Sequence, residues 1–398
     1  MATKDRIVKL VATNSMLSTF LDCRMRFVWR YMRELVPITS SVPLIWGDLG
    51  HRLLEVLYAS TLPNIASTST EIDLSASVDA WIAEKVAGAM GAIELQPFAD
   101  QFAEMQIEET REQAREIADE VLDVIQYYIG ARYDEDVERY TFHMVEKTFN
   151  VPLPTIDGRR LTNTSFAGKW DLVATDKETG VCKLWDHKFS VRNLNELQIE
   201  GDTDTQPLGY LYAASFLSTA KARQLRPGDR PLWSSAIPMP KGFVHNWIRR
   251  SVPSEPPLLK NRKQPTLSKS KQLVTTAALY RDALAKHNID PTDYADHLQW
   301  LEENEQSFVR RTEPNIEIQE IEKWLEETTA TVRDVRLVMR DERQAYRNPR
   351  ACRRLGRGRC PYIPLCFGES ENPSVLAQFR HERAHIELGE QDEEENGG

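Results

Sequence analysis

No apolar run in this sequence approaches the roughly 20 residues of a membrane span. The opening MATKDRIVKL also lacks the apolar centre of a secretory signal. A membrane role is set aside, and a cytoplasmic location is the expectation. There is no internal repeat. No glycine-rich phosphate loop is present, so a doubly wound nucleotide fold is not expected. Cysteine is sparse, with five in 398 residues, and in an intracellular chain disulfides are disfavoured.

What is present suits a folded protein with room for two or more domains or one elaborated enzyme core. The net charge of −10 argues at first sight against a polyanionic partner. Its distribution changes that, because Glu387, Glu390, Asp392, Glu393, Glu394 and Glu395 crowd into the tail with no base among them. Residues 340–360, by contrast, hold eight arginines against two acids. A local basic patch is what matters for phosphate contact, although a solvated helix end has the same composition.

Hydrophobic spacing predicts helices over 12–34 and 46–60, the second with Asp48 as N-cap, and amphipathic helices over 75–91 and 98–132. The period then becomes two, predicting strands over 141–153, 165–175 and 180–190, the last two joined by the turn DKETG. A helix at 207–219 takes Pro207 into its first turn. Strand-like pieces recur near 233–250, a Pro- and Lys-rich loop spans 254–272, and helices follow from 273 to 347. The fold class is α/β or α+β. Six regions are expected: N-terminal helices (1–60), a helical insertion (61–135), a strand-bearing core (136–250), a loop with helices (251–347), a cysteine-rich segment (348–370) and a disordered acidic tail (371–398).

The charges that matter lie in GKWDLV (168–173) and KLWDHKFS (183–190). Strand alternation puts Asp186 and Lys188 on one face, about 7 Å apart, and groups Lys169, Asp171 and Val173 on the preceding strand. If the hairpin register aligns these faces, two carboxylates and a lysine converge. Oxygen ligands of this kind suit Mg2+ or Mn2+, to which the backbone carbonyl of His187 would add. Lys188 would then orient a water or offset developing charge. Taken alone, the pattern fits an exposed ion pair on an edge strand as well. His51 lies on an apolar helix face, where a core histidine is the common case. In QPLGY, Pro207 biases Gln206 toward an extended conformation, so Gln206 and Tyr210 would both face a groove.

In order, the glycine and histidine of Gly47–His51, then GKWDLV, LWDHK and QPLGY, resemble the motif series of the RecB-like branch of the PD-(D/E)XK nuclease superfamily. The resemblance spans 47–210. It implies a restriction-endonuclease-like α/β core, a central mixed sheet flanked by helices and interrupted by large helical insertions. It implies that His51, Asp171 and Asp186 bind metal, that Lys188 is the catalytic lysine, and that Gln206 and Tyr210 help to hold a DNA strand. Glu146 precedes the two strands as an acidic residue often does in this family, with no role assigned. The implied activity is a deoxyribonuclease, an exonuclease leaving 5′-phosphate ends, in DNA repair, recombination or phage DNA processing. A helicase or recombinase is the implied kind of partner, because no ATP-binding motif for unwinding is present. The stretch 264–312 is similar to phage-borne nucleases of this branch. There Phe308, Arg310 and Arg311 could lie near a bound phosphate, with a surface salt bridge the commoner role for any single one of them.

Three of the five cysteines, Cys352, Cys360 and Cys366, fall within 15 residues, which points to a metal or cluster needing a fourth ligand. Cys182 sits on the Asp186 strand and reads as a small core residue. Cys23 is the better fourth ligand, although it also reads as a buried thiol between Phe20 and Phe27. Iron–sulfur members of the RecB-like branch, including CRISPR-adaptation exonucleases, use one N-terminal and three C-terminal cysteines for a 4Fe-4S cluster, and this arrangement is similar. The seven residues between Cys352 and Cys360 exceed the usual two, so Zn2+ at the same four cysteines stays open. Two other classes are kept: a catalytically silent nuclease-fold DNA-binding module, and a zinc-stabilised structural protein.

Overall fold

The computed structural model describes residues 9–38, 42–62, 108–154, 160–194, 197, 204–217, 237–259, 265–304, 307–353, 359–368, 370 and 372–385. The helix expected over 75–91, the first part of that over 98–132, the middle of the Pro/Lys loop and the acid run from Glu387 lie outside the described residues.

The chain begins with β1 (Leu10–Ala12), α1 (Asn14–Asp22), α2 (Arg24–Phe27), β2 (Leu35–Pro37) and α3 (Val42–Ala59). Then come α4 (Glu108–Tyr128), α5 (Asp134–Arg139), β3 (Tyr140–Pro154), β4 (Arg160–Asp176), β5 (Cys182–Ser190), α6 (Gln206–Phe216) and β6 (Gly242–Arg249). It continues through α7 (Ala277–Lys286), α8 (Ala295–Glu303), β7 (Val309–Thr312) and α9 (Ile318–Arg340). The short α10 (Ile363–Cys366), α11 (Pro373–Leu376) and β8 (Phe379–His381) come last. No helix among the described residues is long and apolar enough to cross a membrane.

The expected hairpin forms, and its turn chemistry is visible. Asp176 Oδ1 accepts the N–H groups of Glu178 and Thr179, and Gly180 takes the left-handed φ of 68° that closes the turn. β4 is long and has two different edges. Antiparallel β3 runs along one, while the other is divided between parallel β1 at Thr164–Phe166 and antiparallel β5 at Leu172–Thr175. Between those two partners β4 carries no ladder on that edge, and the sheet forks. β6 is parallel to β5 and β7 antiparallel to β6, which completes a mixed six-stranded sheet.

Helices cover both faces. α6 and α9 pack over Phe166, Val173, Leu184 and Phe243, with Trp324 between them. α3 and α4 bring Leu53, Leu57, Val121 and Ile125 onto Leu172 and Trp185. Each fully buried side chain of this size is worth about 1.5–3 kcal/mol over exposure, so the sheet is clamped from both sides. A satellite core of Tyr280, Leu284, Tyr294, Leu298 and Leu301 holds α7 and α8 together.

Four expectations are corrected. α3 starts at Val42, so Asp48 is not its N-cap but an interior residue paired with Arg52 at 3.3 Å. The helical reading of 273–347 is interrupted by β7, whose four residues include Arg310 and Arg311 and show too little apolar alternation to be recognised. The disordered tail cannot begin at 371, because α11 and β8 follow, and β8 pairs antiparallel with β2. Of the two roles open to Arg311 the ion pair forms, but buried rather than at the surface: it turns inward onto Asp136 at 2.6 Å, and Phe308 is buried.

Candidate active site

The fork gathers acids by register. Leu172 and Trp185 are the last β4–β5 pair, so Asp171 and Asp186 come next, facing one another where the strands part. On the other side of β4, Glu146 stands opposite Asp171, between the pairs Val145–Leu172 and Lys147–Trp170. β6 extends the row, with His245 paired to Asp186. One line across four strands therefore carries three carboxylates and a histidine, all buried. Glu146 adopts φ 47°, a left-handed conformation costing about 1–2 kcal/mol for a residue with a Cβ. Strain of this kind collects at functional sites.

α3 brings His51 to this row, its Nδ1 3.4 Å from Asp171 Oδ2 and 3.6 Å from Glu146 Oε1. The ligand atoms of His51, Glu146 and Asp171 all lie within 4.8 Å of one another. Lys169 pairs with the second Glu146 oxygen. The ring of Phe189 contacts His51 edge-on with centroids 5.7 Å apart, and it lies against Gly50, where a Cβ would meet it at 2.6 Å. Glycine at 50 is what lets α3 come this close. Gly47, the glycine of the sequence motif, has open space in the same place.

Asp186 sits in a second group. Its Oδ1 accepts from Gln206 Nε2 at 3.0 Å, its Oδ2 lies 2.8 Å from Lys188 Nζ, and Lys188 also donates to Gln206 Oε1 at 2.8 Å. His245 Nδ1 is 3.5 Å from Asp186 Oδ2, and neither ring nitrogen of this buried histidine has a hydrogen bond among the described residues. Sequence reasoning grouped His51, Asp171 and Asp186. The geometry groups His51 and Asp171 with Glu146, and Asp186 with Lys188, Gln206 and His245. Nothing in the sequence signals His245, whose place depends on a parallel pairing across nearly sixty positions.

His187 turns its imidazole away from the fork and its backbone toward it. Its N–H donates to Asp171 Oδ2 at 2.7 Å. In an extended strand the N–H and C=O of one residue leave on the same edge, so the His187 carbonyl also faces β4. Gln206 opens α6, with Pro207 in the first turn as expected. Tyr210 lies in the core rather than in a groove, its ring against Phe149 and over Gly168.

The electrostatics follow from burial and pairing. Burial, with Glu146 and Asp186 alongside, pushes the Asp171 carboxyl up to about 7 against the pull of His51. Burial disfavours a charged His51, but the Asp171 and Glu146 carboxylates lift it to about 9. Against the same desolvation, His51 and Lys169 hold Glu146 below the usual carboxylate range. Lys188 is held charged above the ordinary lysine value, because Asp186 outweighs its desolvation, and Asp186 is correspondingly depressed.

A divalent cation fits this donor set. Among the described residues Glu146 Oε1 has no hydrogen bond and faces His51 Nδ1 at 3.6 Å, while Oε2 pairs with Lys169, so one carboxylate oxygen is left turned toward His51 and Asp171. Carboxylates with a carbonyl suit Mg2+ or Mn2+, and the His51 imidazole shifts the set from Mg2+ toward the transition metals.

The cysteines meet elsewhere. Cys23, between α1 and α2, accepts the Asn348 N–H at 3.4 Å, and Cys352 Sγ donates to the Asn348 carbonyl at 3.6 Å. Trp29 Nε1 donates to Cys366 Sγ at 3.2 Å. Burial pushes the Cys366 thiol up to about 11 and raises that of Cys360, and in each case the other three of these four thiols or two of them add to the rise. Cys182 is buried in the sheet core, apart from them. The four thiols converge without closing to a group within 4.8 Å, since among the described residues only His51, Glu146 and Asp171 do so.

Compared with known families, the chain matches the family model described as the PD-(D/E)XK nuclease superfamily over residues 12–367. No curated protein matches it.

Proposed function

This chain belongs to the PD-(D/E)XK nuclease superfamily, hence to metal-dependent nucleases, and from that premise we propose a Mg2+- or Mn2+-dependent exonuclease acting on DNA, within the RecB-like branch. The observation that carries this reading is the fork, where Asp171 and Asp186 face one another with His51 and Glu146 on one side and Lys188 on the other. His51, Glu146 and Asp171 would hold the cation, with Asp186 and the His187 carbonyl beside them. When bound, the cation polarises a phosphoryl oxygen and acidifies a water.

The rest falls to side chains of this chain. Lys188, kept charged between Asp186 and Gln206, holds the attacking water or a phosphoryl oxygen and offsets the negative charge that grows in the transition state. Gln206 bridges Lys188 and Asp186 and fixes both. Water adds to phosphorus, the P–O3′ bond breaks and the 3′ oxygen leaves with a proton, giving 3′-hydroxyl and 5′-phosphate ends. The arginines of 340–359 supply backbone phosphate contacts, which makes binding salt-dependent. The setting is DNA repair, recombination or phage DNA processing in the cytoplasm, with a helicase or recombinase to open the duplex.

At Cys23, Cys352, Cys360 and Cys366 we read a 4Fe-4S cluster. The reading rests on the resemblance of one N-terminal and three C-terminal cysteines to the iron–sulfur members of the RecB-like branch, and zinc at the same four thiols is the alternative that metal analysis separates.

The test is a time course on end-labelled single- and double-stranded DNA with Mg2+ or Mn2+, using anaerobically purified protein. Stepwise release of 5′-phosphorylated products is expected, with Lys188→Ala slower by about 10^2–10^3 while DNA binding persists. Undiminished cleavage by Lys188→Ala would sink the assignment. The same preparation should be brown, with about four irons and four sulfides per chain; colourless protein carrying zinc alone refutes the cluster.

A further inference from the structure

Behind the fork, on the α3–α4 side of β5, lies a closed ring of buried polar groups that the proposed chemistry does not use. Asp136, Tyr58, Tyr128, His187 and Asn246 are all fully or almost fully buried. Tyr58 OH donates to Asp136 Oδ2 at 2.9 Å and lies 2.6 Å from Tyr128 OH. Asn246 Nδ2 donates to Tyr128 OH at 3.1 Å and meets His187 Nδ1 at 2.9 Å. Arg311 closes the ring, pairing with Asp136 at 2.6 Å and reaching Asn246 Oδ1 from Nε at 3.3 Å. Tyr58 also stacks flat on the His187 ring, 5.6 Å away at 11°.

Two features point beyond packing. An apolar cluster of equal volume would serve stability as well as a buried ion pair, yet this position retains Asp136 and Arg311. The ring also ends on His187, the residue whose N–H donates to Asp171 Oδ2 at 2.7 Å. His187 is thus held from three directions: its ring face by Tyr58, its Nδ1 by Asn246 and its chain neighbours on either side by the β5–β6 ladder.

We propose that Asn246, Tyr58, Tyr128, Asp136 and Arg311 form a positioning network that fixes His187 and, through its backbone N–H, aims the Asp171 carboxylate at the cation. The proposal rests on the reading of the fork as a metal centre. Outer partners that orient a ligand are worth about 10–100-fold in metal affinity or activity. None of the five touches substrate, so their effect appears in metal binding and kcat rather than in KM for DNA.

The experiment titrates Mn2+ into the full-length protein calorimetrically and measures kcat and KM for DNA cleavage. Asn246→Asp keeps an oxygen for Arg311 and removes the amide donor to His187. It should bind Mn2+ about 10-fold more weakly, with KM for DNA within twofold of wild type. Tyr58→Phe keeps the stacked ring and loses only the hydroxyl, and should show a smaller loss in the same direction. Val121→Ala, a buried truncation on α4 outside the ring, should lower the melting temperature and leave Mn2+ affinity unchanged. Wild-type Mn2+ affinity in folded Asn246→Asp overturns the network. Should that variant fail to fold, wild-type affinity in Tyr58→Phe does so equally. A wild-type protein that binds Mn2+ through Asp171 but cleaves no DNA would instead refute the nuclease reading and leave the network standing.

Discussion

The fork between β4 and β5 and the cysteine segment both join residues far apart in sequence, and they are held in opposite ways. At the fork every group comes from a long strand or helix: Glu146 from β3, Asp171 from β4, Asp186 and Lys188 from β5, and His51 from the 18-residue α3. The ladder sets their spacing and two helical layers bury them. The thiols come instead from the ends of short pieces, Cys23 between two helices and Cys366 at the close of the four-residue α10. Cys352, Cys360 and Cys366 are only partly buried, and single bonds from Asn348 and Trp29 tie the set together. The first place has its shape before any ligand arrives. The second would draw much of its shape from the cluster proposed for it.

The sharpest way to break this contrast is Asp171→Asn. Losing a carboxylate proposed to hold the cation should remove several kcal/mol of transition-state stabilisation, about 10^3-fold in rate. Fold should not follow function. Burial already pushes the Asp171 carboxyl up to about 7, so its charge is maintained at a cost, and a neutral amide fills the same space. Cleavage assays should show the loss while thermal unfolding of the metal-free protein changes by no more than a few degrees. A variant that unfolds would mean that the fork is not preformed.

Cys360→Ser probes the other side. With the proposed cluster in the wild type, this variant should lose iron, and limited proteolysis should then cut within 359–385 while the six-stranded sheet stays resistant. The β2–β8 pairing and the Arg30–Glu382 ion pair at 3.1 Å are the contacts expected to open, because both tie the C-terminal segment to the N-terminal helices. Unchanged proteolysis of the iron-free variant would show that the segment is held without its ligand.

The two places also differed in legibility. Asp171 and Asp186 could be put on one hairpin because DKETG supplies its turn, but their meeting hung on a register that only the Leu172–Trp185 pair supplies. Glu146 had no role in advance: the β3–β4 ladder shifts register between Phe142 and Met144 and again between Pro152 and Pro154, which strand alternation does not show, and a positive φ on glutamate leaves no trace in composition. His245 and Asn246 enter through a parallel pairing, and Arg311 through a four-residue edge strand, neither of which has a local signature. The helical layers and the central strands followed from periodicity, while β1, β2 and β8, three residues each, are too short to show one. The cysteines declared themselves by spacing. Their meeting with Cys23 depends on Asn348, whose side chain also donates to the Asp22 carbonyl at 2.8 Å.

Glu146→Gln sharpens the comparison within the fork. The amide keeps the shape and removes the charge that faces His51 and Lys169. Mn2+ affinity should fall at least about tenfold, less than the effect of Asp171→Asn on cleavage, and Lys169 should be left without its closest carboxylate. Calorimetric titration reads the affinity directly. Wild-type binding would remove Glu146 from the metal set and return the fork to the grouping of His51, Asp171 and Asp186.

The smallest effects lie in the two glycines of α3, three residues apart. At Gly50 an added Cβ would meet the Phe189 ring at 2.6 Å, and that ring in turn contacts His51. A ring packed on Trp46 at 5.2 Å has little room to retreat. Gly50→Ala should therefore cost about 1–3 kcal/mol, as overpacking does, and should also weaken Mn2+ binding by displacing the imidazole. At Gly47 no atom of the described residues lies within 4 Å of the added Cβ, and alanine within a helix is better than glycine by roughly 0.5–1 kcal/mol. Gly47→Ala should raise the melting temperature slightly and leave Mn2+ affinity as it was. Paired thermal melts and Mn2+ titrations decide the matter: opposite signs in stability place the steric demand of the motif at Gly50, whereas equal losses would mean that both glycines serve the approach of α3 to the sheet.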